Sequence, residues 1–98
     1  FTKIKSLVQH TEPKSKIILY GSYARGDQRK DSDIDLLILV DWTKNSWEER
    51  KKITYPLYAL EFDTGKIISP MVITKRDWET KYRITPLYAN IKREGIEL

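Results

Sequence analysis

Two aspartates one residue apart, Asp33 and Asp35, head a run that is otherwise apolar, Ile34 and then Leu36 to Val40. In an extended strand alternate side chains share a face, so the two carboxylates lie about 7 Å apart on one side of it. Side by side they repel, and burying either one unpaired carries a large desolvation cost. A divalent cation removes both difficulties. Mg²⁺ (or Mn²⁺) suits the arrangement, because it takes one or two carboxylates, several waters and the phosphates of a substrate.

The residues upstream supply what such a metal would work on. Ile17 to Tyr20 reads as a buried strand, followed by Gly21-Ser22 and the short turn Tyr23-Ala24-Arg25. Gly21 permits a sharp turn and close approach of backbone to a ligand, and Ser22 is expected as the N-cap of the turn. Backbone N–H groups at a helix start favour an anion. The order strand, Gly-Ser turn, helical turn, strand with two same-face aspartates therefore predicts a phosphate cradle facing a metal pair. Arg25 has two readings: a forked donor to a triphosphate, or an ion pair with Asp27 or Asp31. Ser32 has no general base beside it and reads as a hydrogen-bonding residue at the strand entrance.

The segment GSYARGD…DSDIDLLIL resembles the G-S-x-A-R-G…S-D-[IL]-D signature of the DNA polymerase β-like nucleotidyltransferase superfamily, in its smallest branch. The resemblance implies a polymerase β palm-like fold and attack of an acceptor on the α-phosphorus of a nucleoside triphosphate, with pyrophosphate leaving. It also implies roles. Asp33 and Asp35 would be catalytic metal ligands, Gly21 and Ser22 would hold the β- and γ-phosphates, and Arg25 would assist nucleotide binding. ATP is the expected substrate and a hydroxyl the acceptor. Members this small resemble the antitoxin halves of two-gene pairs whose partner is a HEPN-type toxin, which points to a tyrosine of that partner as acceptor. The superfamily places a third carboxylate on the next strand. Here that strand reads Ile67-Ile68-Ser69-Pro70-Met71-Val72, with Glu61 and Asp63 just before it and no acid within it. A catalytically weak or inactive nucleotide-binding antitoxin scaffold is therefore the alternative. Ser69 either fills the vacancy on the metal side or bonds backbone beside a Pro70 bulge.

Around this segment the patterning sets the positioning elements. Ile4, Leu7 and Val8 give an amphipathic helix over 2–9, ended by Pro13. Ser46 and Glu49 form a capping box that starts a helix at Trp47, with Ile53, Leu57 and Leu60 as its apolar stripe and Pro56 predicting a kink or restart. The loop before it spans 41–45. Lys66 to Thr74 is a third strand, with Pro70 marking it as edge or bulged. Thr74 caps a helix to about Tyr82, and Thr85-Pro86 opens a last helix that Gly95 ends. The order α-β-α-β-α-β-α-α gives an α/β (α+β) architecture, a small mixed sheet packed with helices.

Ninety-eight residues correspond to one domain over 1–98, a single minimal nucleotidyltransferase domain by the resemblance. There is no cysteine, so neither a disulfide framework nor a thiolate metal site exists. No apolar run is long enough to span a membrane, and no signal-peptide pattern opens the chain, so a cytoplasmic protein is expected. The chain starts at Phe1 rather than Met, as expected where a few native residues are missing or a tag has been removed. Eighteen Lys and Arg against fourteen Asp and Glu leave a net charge of +4, spread along the chain. That field attracts a triphosphate but is too dispersed for a nucleic-acid footprint. With no second domain to close the cleft, a HEPN-like partner protein or another copy of the chain is expected to complete the site.

Overall fold

A computed structural model describes residues 1–43 and 46–98. The expected loop over 41–45 falls partly on Lys44 and Asn45, which lie outside the described residues. The elements run α1 (Thr2–Thr11), β1 (Lys16–Tyr20), α2 (Ser22–Arg25), β2 (Ile34–Val40), α3 (Trp47–Thr64), β3 (Ile68–Thr74), α4 (Lys75–Thr80), α5 (Pro86–Glu94) and β4 (Ile96–Glu97). The sheet order is β3-β2-β1-β4, with β1 antiparallel to both neighbours and β2 parallel to β3.

The pleat of β2 sorts the core into two layers. Leu36, Ile38 and Val40 pack with Ile4 and Val8 of α1 and Ile53, Leu57 and Leu60 of α3. Leu37 and Leu39 face the other way, onto Ile73, Trp78 of α4 and Ile91 of α5. A strand buried on both faces must be apolar throughout, which is why this one reads as a continuous greasy run. Each such side chain contributes about 1.5–3 kcal/mol by leaving water. The two aspartates belong by alternation to the α4/α5 layer, at its open end: Asp33 is exposed and Asp35 half-buried.

The helix starts follow the expected caps. Ser46, Thr74 and Thr85 each accept a bond from the amide three residues on, at 3.3, 3.0 and 3.2 Å. Pro56 does not restart α3, which is unbroken from Trp47 to Thr64. The proline lacks the N–H that would bond the Lys52 carbonyl, a cost offset by Ile53, Leu57 and Leu60, which lock both halves to the same core.

Two features of the sheet's borders differ from the expectation. Ile96 and Glu97 form a fourth strand against Ile18 and Leu19, where only a helix end was expected. Gly95 precedes it because a Cβ there would sit 2.6 Å from the Ile91 carbonyl oxygen and 2.7 Å from Ile18 Cγ2. At the opposite border β3 carries no bulge, since its residues pair one to one with β2 from Ile68 to Thr74. Ile34 N donates to Ile67 O at 2.8 Å, so the amides of Ile68, Pro70 and Val72 point outward. Glu61 takes the Ile68 N–H at 2.7 Å and Pro70 has none to offer. The edge is blunted against strand addition.

Candidate active site

β1 hands over to α2 through Gly21, whose φ of 76° and ψ of −153° lie where only glycine sits without strain. Ala24 N and Arg25 N donate to the Gly21 carbonyl at 3.1 and 3.0 Å, and Gly26 closes the turn in the left-handed region. The geometry makes Gly21 the N-cap and Ser22 the first helical residue, correcting the expectation that Ser22 caps the turn. The cause is local: the non-helical dihedrals fall on Gly21, so the helix begins one residue later. The amides of Ser22 and Tyr23 head the turn without a preceding helical carbonyl to bond.

Asp35 fills the space that Gly21 leaves. A Cβ at position 21 would collide with Asp35 Oδ2 and come within 3.3 Å of its Cγ. Across the sheet Asp35 is in register with Tyr20 of β1 and with Ser69 of β3. Ser69 Oγ donates to Asp33 Oδ2 at 3.3 Å. The Gly-Ser turn, both aspartates and Ser69 thus meet at one end of one sheet face, and Ser69 lies on the carboxylate side of β3.

Burial pushes the Asp35 carboxyl above the ordinary carboxylate value, the negative charge of Asp33 pushes it further, and Arg25 pulls it partway back. Burial and then the Asp35 charge likewise raise the Tyr20 phenol. Arg25 does not neutralise the pair. Its guanidinium bonds Asp27 Oδ2 and Glu94 Oε1, each at 3.2 Å. Asp27 was one of the ion-pair partners expected from the sequence, whereas Glu94 arrives from 69 positions away.

Two same-face carboxylates whose repulsion Arg25 relieves only in part are a donor set that fits a hard divalent ion completed by water and phosphate oxygens. Among the described residues no group of three or more acidic, histidine or cysteine side chains is placed to hold a metal. Glu61 is held at the Ile68 amide and Asp63 is exposed on α3, so neither joins Asp33 and Asp35.

The nucleotidyltransferase domain family model matches residues 2–94. The chain belongs to that family. The chain is similar to several Methanocaldococcus jannaschii proteins, each named as a candidate protein adenylyltransferase. MJ0141 is 43% identical over 61 residues, 61% of this chain and 60% of that protein. MJ1305 is 39% identical over 77 residues, 76% of this chain and 51% of that protein. MJ1379 is 31% identical over 80 residues, 82% of this chain and 76% of that protein. The chain thus spans 60% and 51% of the lengths of MJ0141 and MJ1305. The fold is similar to that in a toxin–antitoxin crystal structure with AMP-PNP, with a TM-score of 0.63, 23% identity and coverage of 98% of this chain and 69% of that one. A variant of the MntA–HpeT toxin–antitoxin matches at a TM-score of 0.65 and 18% identity, over the same shares.

Two site neighbours gave no signal in the sequence. Tyr20 reads as one more apolar strand residue until the β1–β2 register sets it opposite Asp35. Glu94 reads as one more charge at a helix end until α5 carries it to Arg25.

Proposed function

We propose that the protein is a metal-dependent nucleotidyltransferase that moves AMP from ATP to a hydroxyl, with a tyrosine of a HEPN-type toxin partner as acceptor. One observation carries the reading: Asp35 lies against the Cβ-less face of Gly21, with Asp33 beside it on the same strand face. That contact brings carboxylates and helix-start amides within reach of one triphosphate. Ser22 donates its hydroxyl, and the amides of Ser22 and Tyr23 their hydrogens, to the phosphate tail. Asp33 and Asp35 hold Mg²⁺, which supplies charge neutralisation at the phosphates and a lowered acceptor pKa when bound. Arg25, tied to Asp27 and Glu94, reaches a phosphate only by exchanging one of those partners. In the transfer the acceptor oxygen bonds to the α-phosphorus, the bond from that phosphorus to the bridging oxygen of pyrophosphate breaks, and the acceptor proton passes to solvent or a carboxylate.

The names of the M. jannaschii relatives support adenylyl transfer to protein. The toxin–antitoxin structure with AMP-PNP supports both a nucleotide and a protein partner. Residues 1–98 act as a single catalytic domain, in the cytoplasm where ATP and Mg²⁺ are plentiful. A second reading, a nucleotide-binding scaffold without turnover, is favoured by Ser69, a hydroxyl and not a carboxylate, at the Asp33 side chain. Incubating the protein and its copurified partner with ATP and Mg²⁺ separates the two. A partner heavier by one AMP, lost on chelation, supports transfer. Metal-dependent ATP binding without any mass change supports the scaffold, and no ATP binding overturns both.

A further inference from the structure

α3 carries two apolar faces. Ile53, Leu57 and Leu60 pack into the core, and on the opposite side Trp47, Tyr55, Tyr58 and Phe62 stand 57%, 53%, 42% and 93% exposed. With 100° per residue these four fall within about a quarter-turn of one another, in a stripe some 22 Å long. Beside its N-terminal half lies an open groove of about 390 Å³, lined on the α3 side by Trp47, Arg50, Lys51, Thr54 and Tyr58. Trp47, Arg50, Lys51 and Thr54 are spaced i, i+3, i+4, i+7, the four corners that receive a knob from a facing helix.

We propose that the stripe is a homodimer interface, in which two copies of α3 pack antiparallel about a two-fold axis and each Phe62 enters the other copy's groove. Three features select a second copy. The hole lies in the first half of α3 and the exposed knob in the second, so an antiparallel pair fills both at once. The net charges run in the same sense: Arg50, Lys51 and Lys52 outnumber Glu48 and Glu49, which pair with Lys51 and Lys52, toward the N-terminal end, and Glu61 and Asp63 lie toward the C-terminal end. A two-fold axis sets each net-basic half against the other copy's acidic half, as an isologous contact allows. The Lys51 ammonium already sits 4.2 Å from the Trp47 ring centroid, so an incoming Phe62 adds a second ring to the same cation. Strand addition is the other way this border might pair, and Glu61 and Pro70 block it. The far wall of the groove is Met71, Ile73 and Tyr82 of the α4/α5 layer with Asp77 of α4, and the inference rests on α3 and this groove and not on the proposed activity.

Sedimentation velocity on the intact chain from 1 to 200 μM tests it. The expected result is reversible association to twice 11.6 kDa. Phe62→Glu should weaken that association at least tenfold, with an unchanged melting temperature for a side chain already in solvent. Lys51→Glu should weaken it too, and a second change, Asp63→Lys, should recover part of the loss. A monomer throughout the range would overturn the proposal and leave the stripe to a different protein. So would a dimer that Phe62→Glu leaves intact.

Discussion

The carboxylate of Asp35 occupies the space that a side chain at Gly21 would need. A residue before the helical turn and a residue in the next strand are therefore one steric unit. Gly21→Ala would force both a left-handed backbone onto alanine and Asp35 out of place. We expect a stability loss on the order of 1–3 kcal/mol, together with weakened nucleotide binding. Urea denaturation and calorimetry with ATP check it, and an alanine variant as stable as the parent would mean that Asp35 has room to retreat.

Asp35→Asn separates the metal role of that carboxylate from its cost to the fold. Its folded pKa is raised by burial and by Asp33, so between the ordinary and the raised value the native state holds more protons than the unfolded one. Stability therefore falls as pH rises through that window, beginning near pH 4. The Asn variant should melt higher at pH 7, by on the order of 1–3 °C because solvent screens much of the repulsion, and no differently near pH 3. Its Mn²⁺-dependent ATP affinity should drop at least tenfold. Equal metal-dependent affinity in the two proteins would remove Asp35 from the metal site.

Ser22 is the first residue of the turn, and its hydroxyl is assigned to the phosphate tail. Ser22→Ala should weaken ATP binding by about 1 kcal/mol, the worth of one hydrogen bond, and leave AMP binding nearly unchanged. If AMP loses as much as ATP, the hydroxyl serves the α-phosphate or the nucleoside instead.

Ser69 donates to Asp33, so a carboxylate at that position joins the pair and does not enter the core. Ser69→Asp should lower the melting temperature of the metal-free protein by placing a third negative charge on one face. Added Mn²⁺ should then restore it, with a larger metal-induced shift than in the parent, and raise adenylyl transfer. A lower melting temperature that Mn²⁺ leaves untouched would show that position 69 does not reach the metal.

Local chemistry alone determined much of this protein. The caps at Ser46, Thr74 and Thr85, the strand at Ile34–Val40, the Gly-Ser turn and the same-face aspartates are set within a few residues of chain, because hydrogen-bond reach and strand alternation are short-range. The N-cap falls one position before Ser22, which has the usual capping side chain, because the turn's positive φ belongs to Gly21. Of the kink or restart that Pro56 predicts, the restart does not occur, because tertiary packing keeps α3 continuous. Only the assembled sheet decided what meets across it. The parallel β2–β3 register carries Ser69 to Asp33, the antiparallel β1–β2 register carries Tyr20 to Asp35, and α5 returns Glu94 to Arg25. A two-residue strand such as β4 has too few side chains to show a period, so pairing with β1 creates it and no pattern announces it. Register and long-range ion pairs depend on how whole elements dock, and docking is decided by the core as a unit.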